Sequence, residues 1–247
     1  MKNILLISFV LILFIHAKVI NFGSWNKAQF QEILQNNNPS QISEYFINKP
    51  YLSNTLIGNS YTKEEFVIDF RGVDCFTYID YIESIRRSIS IDAFELNLQK
   101  LRYKDSKISY KNRNHFFSDW IINNNFEDIT YKISNKKAIT ISKELNKKDI
   151  KSKYLDDIPI IKRDISYIPT KYITPKILSQ LKTGDYIGIY TNLNGLDVSH
   201  VGILIKEDKN VYFGHASSSK LNQKVVTIKL IEYMKNKPGL IVLRAKE

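Results

Sequence analysis

The sequence contains only one cysteine, Cys75, among its 247 residues. A single cysteine excludes an intramolecular disulfide framework, an iron–sulfur cluster and any zinc site built from several cysteines. The chain also lacks internal repeats, heptads and any linker rich in proline or glycine. Its hydrophobic content of 43%, with 12% aromatic residues, is enough to bury a core and excludes wholesale disorder. At ~150 residues per domain, the length predicts one large domain, or one with an added subdomain.

Acidic residues are in deficit, with 25 Asp and Glu against 36 Lys and Arg, which gives a formal net charge of +11. Such an excess suits nucleic acid, a membrane surface or an anionic cell-wall polymer as a partner. The basic residues are scattered along the chain and form no basic helix or aromatic–basic motif. We therefore expect no nucleic acid partner.

The only long apolar run lies at the start of the chain. A short basic segment precedes Ile4–Ile15, which is interrupted only by Ser8 and is followed by a small residue, Ala17. This run is shorter than the ~20 residues of a membrane-spanning helix and predicts a secretory signal peptide over residues 1–17. No cysteine lies near the end of this run, so a lipoprotein anchor is not expected. The alternatives are an uncleaved anchor or a buried strand. We expect an exported protein of the periplasm or cell envelope, with one mature domain over residues 18–247 and no stable membrane anchor.

Helical patterns dominate the first half of the chain, and short runs rich in β-branched and aromatic residues dominate the last third. The predicted helices are Ser24–Asn36, Pro39–Ile47, Asp74–Arg87, Asp92–Arg102, Ser118–Asn124, Pro175–Leu181 and Leu230–Lys235. The predicted strands are Tyr186–Thr191, Ser199–Lys206, Asn210–Ala216, Lys224–Lys229 and Leu240–Arg244. Residues 127–174 are Lys-rich and are interpreted as strands and a loop. Helices followed by strands predict an α+β fold with an antiparallel sheet.

The residues before Cys75 predict a particular environment for its thiol. Gly72 permits a tight turn, and Asp74 can cap a helix that begins beside it. The thiol would then lie in the first helical turn, where the helix dipole stabilises a thiolate and free N–H groups can hold an oxyanion. The alternative is a buried, inert thiol, because a free cysteine often behaves as a small hydrophobic residue.

Two histidines lie on neighbouring predicted strands near the end of the chain. His200 begins one strand and His215 ends the next, so a hairpin would bring the two together at its open end. His200 could accept the proton of the Cys75 thiol, and His215 could hydrogen-bond its other ring nitrogen and fix the tautomer. The alternative for each is a hydrogen-bonded structural histidine.

Four sequence blocks carry a resemblance to a known family. They are Phe-Arg-Gly-Val-Asp-Cys-Phe-Thr-Tyr at 70–78, Asn-Arg-Asn-His-Phe-Phe-Ser-Asp-Trp at 112–120, Gly-Leu-Asp-Val-Ser-His-Val-Gly at 195–202, and His-Ala-Ser-Ser at 215–218. The sequence resembles the N-acetylmuramoyl-L-alanine-amidase-like family of papain-like bacterial cysteine hydrolases in the NlpC superfamily. The resemblance spans roughly residues 66–244, in the family's order.

The resemblance implies a papain-like α+β fold, in which N-terminal helices carrying the nucleophile pack on a C-terminal antiparallel sheet or partial barrel. It implies hydrolysis of the amide between N-acetylmuramic acid and L-alanine in peptidoglycan or muropeptides, with no metal or other cofactor. Cys75 would be the nucleophile, His200 the base and His215 the orienting residue, a position that varies in the superfamily. The sequence departs from the family at Phe76, where Thr is common.

Seven further residues of these blocks are candidate contacts to the substrate. Trp120 could stack on a sugar face or be a core aromatic, and Arg113 could pair with a stem-peptide carboxylate or form a structural ion pair. Asp119 could instead orient a backbone N–H. The full set is Arg113, His115, Asp119, Trp120, Asp197, Ser199 and Ser217.

Three rival functions remain open at this point. A D,L-endopeptidase of the same superfamily would use the same three residues on the stem peptide. A zinc amidase would use Cys75, His200 and His215 as metal ligands, although the chain has no His-Glu-x-x-His pattern. A catalytically inactive cell-wall-binding module is the third alternative.

Overall fold

The computed structural model describes residues 20–246, so the predicted signal peptide lies outside the described residues. Eight α-helices occur within that range. They are α1 (Lys27–Ile33), α2 (Pro39–Glu44), α3 (Cys75–Arg86), α4 (Ile91–Arg102), α5 (Asp119–Asn123), α6 (Thr130–Ile133), α7 (Pro175–Gln180) and α8 (Leu230–Met234). None of these helices is both long enough and apolar enough to cross a membrane.

The strands form one small and one large sheet. Strands β1 (Ile20–Asn21) and β2 (Ile68–Asp69) pair in parallel. The large sheet contains β3 (Phe126–Asp128), β4 (Ile139–Leu145), β5 (Ile161–Pro169), β6 (Tyr186–Tyr190), β7 (Val198–Glu207), β8 (Asn210–Ser217), β9 (Lys224–Lys229) and β10 (Gly239–Ala245). Its order is β4-β5-β10-β6-β7-β8-β9, with β3 also beside β10, and all its pairs are antiparallel. The fold is therefore mixed α+β with a mostly antiparallel sheet.

The large sheet is buried on both faces along its central strands. Alternate residues of β6 show this, because Tyr186 and Tyr190 pack with helices α1 to α5 whereas Ile187 and Ile189 pack with α7 and α8. Helix α3 is the element that carries Cys75, and its side chains Tyr78, Ile79 and others lie in the first of these two cores. Helix α3 is largely buried and packs against β7 and β8, so its first residues lie over the two strands that carry His200 and His215.

Most predicted elements are confirmed with small shifts at their ends, and two details differ. Helix α1 begins at Lys27, because Asn26 rather than Ser24 caps it and forms a reciprocal pair with Gln29. Residues 127–174 contain β4 and β5 as expected, but also the short helix α6. This one-turn helix has no side-chain cap, so no local pattern marks its start.

Candidate active site

Helix α3 begins at Cys75 because the preceding residue caps it. The Asp74 carboxylate accepts hydrogen bonds from the N–H groups of Phe76 (3.0 Å) and Thr77 (2.8 Å), and the Thr77 hydroxyl accepts one from the Asp74 N–H (2.9 Å). This capping box places the thiol in the first helical turn, as predicted. It also engages two of the N–H groups that the sequence analysis considered for an oxyanion.

The loop before Cys75 is held by close backbone contacts. Val73 donates to the carbonyl of Pro50 (3.0 Å) and accepts from Leu52 (3.1 Å), while the Tyr51 N–H bonds the Gln223 carbonyl at the entry to β9. A Cβ atom on Gly72 would lie 2.6 Å from the Pro50 carbonyl oxygen and 2.5 Å from the Leu52 side chain. Gly72 is therefore required by close chain packing.

The Cys75 thiol is protonated at neutral pH. Burial raises the pKa of this thiol to about 12, and the negative charge of Asp74 adds to the rise. Backbone hydrogen bonds from Val201, Cys75 and Phe76 oppose the shift but do not overcome it. The N–H groups of the helix start therefore favour the thiolate, as predicted, but burial and the charge of the capping carboxylate outweigh them.

The two histidines of β7 and β8 lie side by side, as their spacing predicted. Nε2 of His200 and Nδ1 of His215 are 2.8 Å apart, and the two rings are perpendicular with centroids 4.9 Å apart. Strands β7 and β8 pair from Glu207–Asn210, next to the hairpin turn, to Ile203–Gly214. His200 and His215 lie beyond the Ile203–Gly214 pair, at the end of the hairpin away from the turn. His200 is half-buried and His215 is buried.

Both imidazoles are neutral at neutral pH. Burial lowers the pKa of His200 to about 4, and the positive charge of Lys237 contributes. Burial lowers the pKa of His215 to about 3, with contributions from His200 and Lys237. In a neutral pair joined at 2.8 Å, one ring nitrogen donates and the other accepts. His200 uses Nε2 for this bond, and its Nδ1 has no hydrogen-bond partner among residues 20–246.

A backbone contact links the thiol to the histidine pair. The N–H that reaches the Cys75 sulfur from β7 belongs to Val201, the residue directly after His200. Two half-buried tyrosines also interact electrostatically with the thiol, since Cys75 contributes to raising the pKa of Tyr51 and of Tyr233. The sequence analysis missed both tyrosines, because each comes from a segment distant in the chain with no motif of its own.

Two of the candidate substrate contacts, Asp119 and Asp197, are parts of a buried polar network. One oxygen of the Asp197 carboxylate accepts from the N–H (2.8 Å) and hydroxyl (2.7 Å) of Ser118, and the other accepts from Val198. Asp119 pairs with Arg163 at 2.8 Å and accepts the Phe116 N–H, as the alternative role for Asp119 anticipated. Asp197 and Asp119 therefore hold the chain before His200 rather than face a substrate.

Trp120 is fully buried and does not offer a face to a sugar. Its indole packs against Phe126 (4.7 Å between ring centroids) and Tyr186 (5.0 Å) in the core beneath the sheet. The sugar-stacking prediction for Trp120 is therefore corrected to the core alternative. Helix α5 has only five residues, and the face that carries Trp120 is its buried face.

The remaining candidates differ in how accessible they are. Arg113 forms a bidentate ion pair with buried Glu64 (2.9 and 2.5 Å), which matches the structural alternative for this residue. His115 bonds the Tyr110 carbonyl through Nε2 at 2.8 Å. Ser217 is buried at the end of β8, whereas Ser199 is exposed on β7 beside His200. Ser199 is thus the one exposed residue among the candidate contacts, and its hydroxyl donates to the Ile189 carbonyl at 3.4 Å.

No group of three or more His, Cys, Asp or Glu side chains within residues 20–246 is arranged to hold a metal ion. The structure has a protonated thiol at the start of α3 and a neutral, hydrogen-bonded imidazole pair on the two strands against which α3 packs, with the Val201 N–H bonded to the sulfur. This set of groups can deliver a sulfur nucleophile and accept its proton.

Comparison with known proteins places the chain in a family. The family model described as AmiA-like, N-acetylmuramoyl-L-alanine amidase-like, matches residues 41–240. An N-acetylmuramoyl-L-alanine amidase from Bacteroides uniformis is 29% identical, with a TM-score of 0.72 over 86% of this chain and 100% of that one. A putative xylanase from Bacteroides fragilis is 30% identical, with a TM-score of 0.68 over 82% and 98% of the two chains.

A third structure shares the fold at lower identity. A Legionella pneumophila protein of the DUF1460 family is 24% identical, with a TM-score of 0.75 over 90% of this chain and 94% of that one. None of the curated proteins matches the chain. The match over 200 consecutive residues shows that this protein belongs to the AmiA-like family of N-acetylmuramoyl-L-alanine-amidase-like proteins.

Proposed function

We propose that this protein is a cysteine-dependent amidase that cleaves the bond between N-acetylmuramic acid and L-alanine in peptidoglycan or muropeptides. Family membership supports the substrate class. The observation that carries the mechanism is the 2.8 Å bond between His200 and His215, next to the strand residue Val201 that contacts the Cys75 sulfur. Cys75 would be the nucleophile, His200 the base and His215 the orienting residue.

The protonation states define how the reaction would begin. Because the thiol and both imidazoles are neutral at rest, the proton moves from Cys75 to His200 as the sulfur attacks the lactyl carbonyl. This requires Nδ1 of His200 to accept, so its Nε2 carries the hydrogen that is donated to Nδ1 of His215. His215 would thereby hold the reactive tautomer of His200.

The later steps use the same groups. The tetrahedral intermediate collapses to a thioester with the lactyl acyl group, and the amine of L-alanine leaves with the proton held by His200. Water that gives a proton to His200 then hydrolyses the thioester and restores the thiol. The Asp74 carboxylate takes the N–H groups of Phe76 and Thr77, which leaves the Cys75 N–H at the helix start as the candidate oxyanion donor.

The proposal includes the arrangement and location expected from the sequence. A helix that begins at Cys75 and packs against β7 and β8 supports a papain-like arrangement. The apolar run Ile4–Ile15 supports export to the periplasm or cell envelope, with residues 18–247 as the mature domain.

Mass spectrometry of defined muropeptides incubated with the wild type and with Cys75→Ala tests this proposal. We expect a muramic product with a free lactyl carboxylate and a peptide that begins with L-alanine, and no turnover by Cys75→Ala. A sugar product that still carries L-alanine would show the D,L-endopeptidase alternative instead. Turnover by Cys75→Ala would contradict the cysteine mechanism, and turnover by neither protein would support the inactive binding module.

A parallel inhibition experiment separates the thiol mechanism from the zinc alternative. We expect iodoacetamide to abolish turnover and a metal chelator to leave it unchanged, because Cys75 is proposed to attack directly. Activity lost on chelation and restored by zinc would instead support Cys75, His200 and His215 as metal ligands.

A further inference from the structure

Helix α8 contributes an aromatic side chain that packs on both active-site histidines. The Tyr233 ring centroid lies 4.9 Å from that of His215 and 6.1 Å from that of His200. Phe213 stacks nearly parallel to His215 at 4.8 Å, so Phe213 and Tyr233 both pack against the His215 ring. The Tyr233 hydroxyl makes no hydrogen bond with another group of residues 20–246. Its ring, not its hydroxyl, is therefore what contacts the pair.

A lysine directly after α8 lies over the same tyrosine. The Lys237 Nζ is 5.1 Å from the Tyr233 ring centroid. Its backbone is fixed, since its N–H bonds the Met234 carbonyl (2.9 Å) and its carbonyl accepts from the Thr170 hydroxyl (2.6 Å). No carboxylate of residues 20–246 forms a salt bridge with Lys237. A positive charge that pairs with no carboxylate of the described residues thus acts on the two imidazoles.

We propose that Tyr233 and Lys237 are positioning residues for the reaction of Cys75, with Tyr233 fixing the orientation of the two imidazole rings and Lys237 setting the charge beside them. This inference rests on the proposed function of His200 as the base. Neither residue belongs to a block that carries the family resemblance.

The two contributions have distinct physical consequences. A ring packed on His200 and His215 restricts their rotation, so that Nδ1 of His200 stays available to the thiol. The Lys237 charge disfavours the imidazolium form, which keeps His200 able to accept a proton under mildly acidic conditions. The titratable or charged groups facing the pair are Tyr233 on α8, Lys237 after α8 and the partner imidazole itself, and Cys75 on α3 interacts with Tyr233.

Substitution at Tyr233 tests the orienting role. We expect Tyr233→Leu to lower kcat by about tenfold to 100-fold with little change in KM, because the bond-forming geometry loosens while substrate contacts stay. Tyr233→Phe keeps the ring and is expected to retain kcat within about twofold. Ile231→Ala, on the exposed side of the same helix, is the matched control. Equal losses in Tyr233→Phe and Tyr233→Leu would overturn the proposal, since the hydroxyl would then be the active part.

Substitution at Lys237 tests the charge. Removing the ammonium in Lys237→Gln is expected to raise the pKa of both imidazoles and to move the acid limb of kcat/KM to higher pH by about half a unit. Lys237→Arg should restore the wild-type profile, and Lys235→Gln, two residues away and exposed, should leave it unchanged. An unmoved acid limb in Lys237→Gln would overturn this part.

A readout that does not need activity separates this inference from the proposed function. NMR titration of the His200 and His215 ring signals reports the same shift in Lys237→Gln whether or not the protein turns over muropeptides. An active Cys75→Ala would remove the proposed function while leaving these titrations interpretable. Unchanged histidine titrations together with an inactive Cys75→Ala would remove the inference alone.

Discussion

Two clusters of polar side chains in this protein differ in whether their groups are charged and paired. In the cluster of Ser118, Asp119, Arg163 and Asp197, every charge has a partner, and Asp197 alone accepts three hydrogen bonds. In the cluster of Cys75, His200 and His215, the titratable groups are neutral at rest and one imidazole nitrogen has no protein partner among residues 20–246.

The two clusters draw on the same sequence blocks, but the first is structural and the second is the proposed reactive set. Buried charges are stable only when paired, so the first cluster uses its pairs to hold α5 against the chain that leads to His200. A proton acceptor must keep a free site, so the second cluster leaves His200 Nδ1 open. Asp197 and His200 are three residues apart in one block, and their contacts differ: both Asp197 oxygens accept hydrogen bonds, whereas Nδ1 of His200 has no partner among residues 20–246.

The largest expected effect is on activity, from a substitution in the second cluster. We expect His200→Ala to lower kcat/KM for a defined muropeptide by about 10³-fold, because the thiol loses its proton acceptor. The thermal midpoint should fall far less than the activity, since within residues 20–246 the variant loses one side-chain hydrogen bond, to His215, and the packing of one ring on Phe213 and Tyr233. His115→Ala is the control for a histidine bonded to a backbone carbonyl. A His200→Ala protein with wild-type activity would contradict the proposed base.

A substitution in the first cluster should lower the free energy of unfolding. Asp119→Ala leaves the Arg163 guanidinium, whose side chain is 13% exposed, without its carboxylate. We expect a loss of about 3 kcal/mol in the free energy of unfolding, measured by urea denaturation. Glu144→Ala removes an exposed partner of Lys147 and should cost much less stability, because solvent screens this ion pair. Equal losses in the two variants would show that the Arg163 pair is not buried as the structure has it.

Local sequence patterns predicted the elements that carry both clusters. The cap chemistry of Asp74 and the β-branched runs of β7 and β8 are short-range signals, and the observed bounds follow them within one residue. The strand spacing was also enough to bring His200 and His215 together, because a two-stranded hairpin leaves few other arrangements. The core of the candidate site was thus accessible from the sequence.

Long-range contacts were not accessible in the same way. The Asp197 partner Ser118 is 79 residues away in the chain, and the Arg113 partner Glu64 is 49 residues away. Nothing in the motif distinguishes these side chains from ligand contacts, because the same residue types serve both purposes. The thiol pKa was missed for a related reason, since burial depends on how the helix packs and not on where it begins.

The neutral imidazoles predict how stability depends on pH. His200 and His215 have folded-state pKa values of about 4 and about 3, below the ordinary value of 6.5. Between these values and pH 6.5, the folded state therefore binds fewer protons than the unfolded state. Stability therefore falls as the pH decreases from about 6.5 towards 4. We expect His200→Gln combined with His215→Gln to remove most of that loss, measured by urea denaturation across this range. An unchanged pH slope would mean that burial does not lower the pKa of the two imidazoles.

The smallest expected effect comes from Thr77, which lies on the helix that carries Cys75 but has a structural role, as the residues of the first cluster do. Its hydroxyl accepts the Asp74 N–H at 2.9 Å and so completes the cap of α3. Thr77→Val keeps the shape and removes that acceptor, which should cost about 1 kcal/mol of stability, whereas Thr77→Ser should cost less. The kcat of the folded protein should stay within about twofold in both variants, because Asp74 still holds the first turn through Phe76. A large fall in kcat for Thr77→Val with normal stability would place Thr77 in the chemistry and blur the boundary between the two clusters.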